Sequence, residues 1–398
     1  MKSARTVALL ALLAALISFG KFQHCRSSGW GTPDVYVHMC YSDLSALYGA
    51  REINQDRWPY ASPDNSVEYP VITGVVMWAT GLLIDDPNGY RAYFDLNSIL
   101  IALLMAAAAV ILWRIKPEFW ALFLFAPAAM ASLYINWDLW AVAPALLSVF
   151  FFQRNRFDLS AIALGIAIAT KFFPLVLLLG VGLHFIVRRE PLKIVRYSAV
   201  TSFTWTAINL PVAVASFDGW FRFYKLNLER GTDLGSFWYS FQILGRDLPG
   251  SRLVSIALIG LAVLVIGKIY VENRLGRSEF ENFALAAFLA VAVFVTVSKV
   301  YSPQYILWLT PLALIAMREK AERSAFWIWQ GGEALYHVAI WQYLATYTGA
   351  KFGLPENLYA LAILVRIATL VWFCTVLIRG AHPQPRLDQQ HIDSSISR

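Results

Sequence analysis

Residues 165–180 read GIAIATKFFPLVLLLG, an apolar run interrupted by one ammonium, Lys171, three residues before Pro174. A lysine inside such a run is expensive unless it finds an anionic partner or water. Proline disfavours continuation of a helix begun before it, so the stretch predicts two half-length spans, 159–171 and 174–187, meeting at Lys171. The fold class depends on how often such runs recur. Of 398 residues, 58% are hydrophobic and only 15% charged, and the mean hydropathy is +0.53. An ordinary soluble domain carries about 25% charged residues, so the sequence predicts an all-α, polytopic membrane helix bundle.

Further apolar runs fall at 5–21, 96–113, 118–135, 137–152, 197–215, 251–271, 283–298, 304–317, 324–345 and 358–379, giving about 12 transmembrane helices with the two halves above. The net charge of +7 is spread in short basic clusters between these runs. That is the positive-inside pattern, not a nucleic-acid footprint, and it argues against nucleic acid as a partner. Twelve crossings put Arg114/Lys116, Arg154/Arg156, Arg188 to Arg196, Lys268 to Arg277 and Arg318 to Arg323 on one side with both termini. The opening MKSARTVALLALLAALISFG has a basic start and a short apolar core without an A-x-A cleavage site, and reads as an uncleaved signal anchor. The expected setting is therefore a multi-pass protein of the plasma membrane with cytoplasmic termini.

The run PVITGVVMWATGLL, 70–84, is too short to fit this scheme and would invert every later basic loop, so it reads as a re-entrant or partial span. The scheme leaves two large external loops, 22–95 and 216–250. One domain, 1–380, is expected, followed by a disordered cytoplasmic tail, 381–398. Cys25 and Cys40 share the first external loop, where a disulfide is chemically allowed; Cys374 lies in the last span. The six histidines are dispersed, with no CxxC and no HExxH, so no metal ligand set is read from spacing.

Ionisable groups collect on the external side. Ser42 precedes DLSALYGAREI and reads as the N-cap of an interfacial helix carrying Asp43 in its first turn. Asp43 either complements the helix dipole, which would lower its pKa, or does acid–base work. Glu68 and Tyr69 stand where VEYPVITG re-enters the membrane; an arginine partner and a sugar contact are both open for Glu68. Lys299, in VSKVYSPQYILWLTP, repeats the Lys171 arrangement beside Tyr301 and Gln304. Two lysines at the outer ends of separate spans suit an anionic group such as phosphate. Arg230 and Trp238 come from the second loop, RGTDLGSFWY, and Asn136, Trp137 and Asp138 from another external corner. Glu333 and His337 lie four residues apart on one helix face, as a site or as a structural pair.

The series YSDLSALYGAREI, WPY, VEYPVITG, ATKFFP, RGTDLGSFWY and SKVYSPQYILWLTPL resembles the GT-C membrane glycosyltransferases over about residues 5–380. It looks most like the actinobacterial polyprenyl-phosphate-mannose-dependent α-mannosyltransferases, the group that includes phosphatidylinositol mannoside mannosyltransferases. The resemblance implies that Asp43 is a general base in an inverting transfer on the extracytoplasmic face. It implies a polyprenyl-phosphate sugar as donor, a glycolipid or cell-envelope glycan as acceptor, and the lipid bilayer as setting. Lys171, Lys299 and Arg230 would meet the donor phosphate, and Glu68, Tyr69, Trp238, Tyr301, Gln304 and His337 would line the sugar and acceptor sites. Many such enzymes carry a second acid in a D-x-D or E-x-D pattern; YSDLS lacks it, so no metal or other cofactor is expected, and Asp34 is the reserve base. An arabinosyltransferase of the same layout and a lipid or glycan transporter are the rival readings, although no internal repeat of the kind transporters use is present.

Overall fold

The structure, a computed structural model, describes residues 3–246, 248, 250–272 and 276–380. The expected tail, 381–398, lies outside the described residues. Within them the regular structure is helical, with no strand. In chain order the α-helices are α1 Ala4–Gly20, α2 Gln23–Ser28, α3 Asp34–Val37, α4 Asp43–Ala50, α5 Val71–Gly81, α6 Tyr90–Ile115, α7 Ala121–Phe125, α8 Pro127–Ser132, α9 Leu139–Gln153 and α10 Phe157–Thr170. They continue with α11 Leu177–Val187, α12 Pro191–Ala215, α13 Phe217–Glu229, α14 Phe237–Gln242, α15 Ser251–Glu272, α16 Glu279–Val297, α17 Ile306–Ala316, α18 Glu322–Tyr347 and α19 Glu356–Arg379.

Four of these, α6, α15, α16 and α19, are each long and apolar enough to cross a membrane. A fifth crossing arises if α12 and α13, bent by 117° at Ser216, are taken as one span. The other expected spans are shorter or more polar. The run 118–135 is split into α7 and α8 at Ala126, which Pro127 pushes into an extended conformation (φ −67°, ψ 105°) while itself opening α8. The run 324–345 lies in α18, whose inward face carries buried Gln330, Glu333 and His337 and packs along α19.

The bundle has two distinguishable ends. At one, Phe157 packs on Phe185 at 4.9 Å, Arg188 pairs with Glu279 at 2.6 Å, Arg277 donates to the carbonyls of Ala316 and Leu377, and Arg318 faces Glu281. The predicted basic loops therefore do gather at one end. These contacts also make α10 and α11 a hairpin, with Lys171 at its tip. Helix α5 is only 11 residues long, and both its ends contact the mouth side: Thr73 reaches the α10 terminus, while Trp78 donates to the Asp56 carbonyl in the first large loop.

That first loop is stapled by a Cys25–Cys40 disulfide. It is latched to the second loop by Arg222, which donates to the carbonyls of Pro63 and Asp64 at 2.6 and 2.7 Å. Gly219 lets α13 lie directly on the Tyr60 carbonyl, where any Cβ would collide with backbone.

Candidate active site at the mouth of the bundle

Asp43 opens α4 as expected. Ser42 is extended, at φ −147° and ψ 131°, and its Oγ accepts from the Leu44 N–H at 3.2 Å. The same hydroxyl donates to the Tyr134 carbonyl at 2.6 Å, and the Asp43 N–H donates to the Ile135 carbonyl at 2.7 Å. Helix α4 is thereby seated on the corner between α8 and α9, with Leu44 and Tyr48 buried beneath it.

Three donors converge on the Asp43 carboxylate. Tyr41 Oη donates to Oδ1 at 2.7 Å; Asn136 Nδ2 and Tyr69 Oη donate to Oδ2 at 2.6 and 3.3 Å. Asn136 also donates to Tyr69 Oη at 2.6 Å, while its Oδ1 accepts from the Trp137 N–H. That last bond fixes which way the amide faces. Asp43 keeps partial exposure although it sits deep among protein atoms.

Burial pushes the Asp43 carboxyl above its ordinary range, and the nearby Asp138 charge adds to the rise. Bonds from Tyr41 and Asn136 and the Lys171 charge act the other way. The dipole expectation of a lowered pKa fails, because desolvation outweighs the charge-stabilising contacts. Burial also holds the Tyr69 hydroxyl well above its usual pKa, so it stays a donor.

Lys171 is buried at the hairpin tip and is extended, at φ −148° and ψ 149°, which ends α10. Thr73 closes the adjacent Thr170 carbonyl at 2.6 Å. The Lys171 ammonium meets Asp138 Oδ1 at 2.9 Å and lies 5.2 Å from the centre of the Tyr69 ring. Trp308 Nε1 donates to the same Asp138 oxygen at 2.6 Å, and its indole is stacked between Phe173 at 4.2 Å and Tyr305 at 3.7 Å. Lysine, acid and aromatics thus stand directly beside the Asp43 network, joined through Tyr69.

The remaining predicted residues are distributed unevenly. Lys299 donates to the Arg230 carbonyl at 3.0 Å, and Arg230 pairs with Asp233. Glu68 takes the arginine partner, pairing with Arg51, with Arg222 at 3.9 Å. Trp238 is buried, its indole N–H spent on the Val297 carbonyl at 3.0 Å. Gln304 is buried on the turn before α17.

Tyr301 donates to Glu333 Oε1 at 2.7 Å inside the bundle. Glu333 does not pair with His337; its partner is the fully buried Arg366, at 2.7 Å. Arg366 also donates to the Tyr301 and Ser302 carbonyls. His337 instead faces Lys21 Nζ at 2.8 Å and Ser132 at 3.2 Å. Asp34, the reserve base, is engaged by His24 and His38 and not by the donors around Asp43.

Asn136, Asp138, Tyr41, Tyr305 and Trp308 were not predicted as site residues. The one sequence signal for the first two is the YINWDLW corner, whose Asn136 and Asp138 sit among apolar neighbours.

A family model described as glycosyltransferase family 87 matches residues 68–298, more than half of the chain. The match takes in Asn136, Asp138 and Lys171 and begins after Asp43. No curated protein matches the sequence significantly. Among solved structures, the crystal structure of ArnT from Cupriavidus metallidurans bound to undecaprenyl phosphate is similar at a TM-score of 0.49 and 15% identity, covering 96% of this chain and 78% of that one.

Proposed function

This chain belongs to glycosyltransferase family 87, and we propose that it moves a sugar, mannose in our reading, from a polyprenyl-phosphate donor to a glycolipid or glycan acceptor at the extracytoplasmic face of the membrane. The observation that carries the reading is the partly exposed Asp43 carboxylate held by three donors beside the buried Lys171–Asp138 pair. Asp43 Oδ2 takes two donors and Oδ1 only one, so the acceptor hydroxyl meets Oδ1. As its proton passes to Asp43, the acceptor oxygen bonds to the anomeric carbon. The bond from that carbon to the phosphate oxygen breaks on the opposite face, its electron pair leaving with the phosphate. Lys171, Lys299 and Arg230 meet the charge that develops there, and the reading takes no metal into the step.

A lipid-linked donor fits the surroundings of Lys171. An apolar groove of about 600 Å³ runs between α10 and α12 over Ile162, Ile166, Phe203 and Ile208, and α10 ends at the lysine. In this reading the groove holds the polyprenyl tail while the phosphate lies at the hairpin tip.

The test is transfer in proteoliposomes from synthetic polyprenyl-phosphate mannose, comparing wild type with Asp43→Asn. Loss of transfer in the variant supports the assignment. Full activity in the variant removes Asp43 as the base. Absence of transfer by wild type rejects the mannose donor, and the pentose donor is then the one to offer.

A further inference from the structure

The dispersed histidines of the sequence are not all dispersed in space. His24 on α2 and His38 at the end of α3 stack with ring centres 3.5 Å apart, and both reach the same carboxylate. Asp34 Oδ2 lies 2.7 Å from His24 Nε2, and Asp34 Oδ1 lies 3.4 Å from His38 Nε2. One donor atom from each residue falls within 4.8 Å of the other two. Ser28 Oγ donates to Asp34 Oδ2 at 3.2 Å, holding the carboxylate from behind.

The scaffold around these groups is anchored independently of them. Arg26, two residues after His24, grips Asp95 of α6 through Nε and Nη2 at 2.6 and 2.5 Å. The disulfide ties Cys25, next to His24, to Cys40, two residues after His38. Tyr36 of α3 stacks on Trp341 of α18 at 6.2 Å. The three side chains keep between 39% and 45% exposure, so an ion can enter from solvent.

We propose that His24, Asp34 and His38 bind one divalent transition-metal ion of the zinc type, with solvent as fourth ligand. Two neutral imidazoles and a carboxylate suit zinc, whereas calcium and magnesium need oxygen donors throughout. Tetrahedral coordination at 2.0–2.1 Å sets donors about 3.3 Å apart. The trio closes to that spacing by side-chain rotation on a fixed frame. This site lies outside the proposed transfer step. It cross-links α2 to α3 just upstream of Tyr41, whose hydroxyl holds Asp43, and so acts as a strut for the segment carrying the base.

Full-length protein purified without a histidine tag tests this by zinc titration in a calorimeter and by metal analysis after dialysis. One equivalent of zinc is expected, with affinity falling at least about 100-fold in both His24→Ala/His38→Ala and Asp34→Asn, since a direct ligand is worth no less than an outer-shell partner. Cobalt in place of zinc should give the intense visible absorption of a four-coordinate site in wild type and not in the variants. Retention of the Cys25–Cys40 disulfide and a single species on gel filtration establish that each variant is folded. Absence of zinc binding by wild type, unchanged affinity in the folded double variant, or a cobalt spectrum of six-coordinate aqueous type would each overturn the proposal. Sugar transfer is not the readout, so failure here is distinct from failure of the Asp43 assignment.

Discussion

Asn136 donates its amide to the Asp43 carboxylate over 2.6 Å from a corner 93 residues further along the chain. The same amide is oriented by the Trp137 N–H and also holds the Tyr69 hydroxyl. A hydrogen bond to the charged form favours that form. Asn136→Ala should therefore raise the Asp43 pKa further and move the acid limb of the pH–rate profile to higher pH. A charge-assisted bond is worth about 1.5–3 kcal/mol, which corresponds to a shift of about one to two pH units. An unmoved limb, with only a lower plateau, would mean that Asn136 positions the acceptor and does not tune the base.

Stability and activity should part company at Asp43. Its folded-state pKa is raised, chiefly by burial. A raised acid contributes stability that is fully present below the unfolded pKa and is lost as pH rises through the folded pKa. Above the unfolded pKa Asp43 thus weighs against the fold, even though ionisation is what a base requires. Asp43→Asn is expected to raise the thermal midpoint in detergent at pH 7 while abolishing transfer. A lowered midpoint would show that the donor network outweighs desolvation.

Lys171 and Asp138 form a buried pair in which Asp138 Oδ2 has no hydrogen-bond partner among the described residues. Removing one partner of such a pair costs about 3–5 kcal/mol, because the other charge stays buried and alone. Lys171→Met should be strongly destabilising, and Lys171→Met/Asp138→Asn should recover most of the loss. Transfer should not return in the double variant, since the phosphate would still lack its cation. Recovered transfer in the double variant would assign the pair a structural role only.

The Cys25–Cys40 bridge closes a loop with a sequence separation of 15. Chain entropy makes such a cross-link worth about 3 kcal/mol. Cys25→Ser/Cys40→Ser is expected to lose about that much, read as a lowered midpoint in thermal unfolding. An unchanged midpoint would mean that Arg26, paired with Asp95, already restrains the loop sufficiently.

Lys171 was legible in the sequence because a charge in a long apolar run has no ordinary explanation. The helical bundle was legible for the same reason, although not its subdivisions: the Ala126–Pro127 break in 118–135 follows from one proline in a run that otherwise reads as continuous. Asp43 was visible as a first-turn acid, but only the family resemblance favoured a base over a capping acid, since such an acid is usual at any capped helix. Asn136 and Asp138 were seen as corner residues but not as site residues, because their partners come from elements 33 to 170 residues away. The same separation concealed Arg366 as the partner of Glu333, where i,i+4 spacing had pointed to His337. His24 and His38 looked unrelated because two short helices and a disulfide, not a spacing rule, bring them together.

The α10–α11 hairpin has a further bearing on the membrane itself. At 1.5 Å per residue α10 rises about 21 Å, and α11 with the 3-10 turn Phe173–Val176 leading into it rises about 24 Å, against a hydrocarbon core of about 30 Å. In the proposed reading a hairpin entering from the basic end stops short of the opposite headgroups, and the bilayer beside it thins or admits water, at fractions of a kcal/mol per Å. The lipid phosphate then meets the protein where its own leaflet already dips. Acyl-chain length becomes a control on turnover: shorter-chain vesicles should favour transfer, and longer-chain vesicles should slow it without any change to the protein.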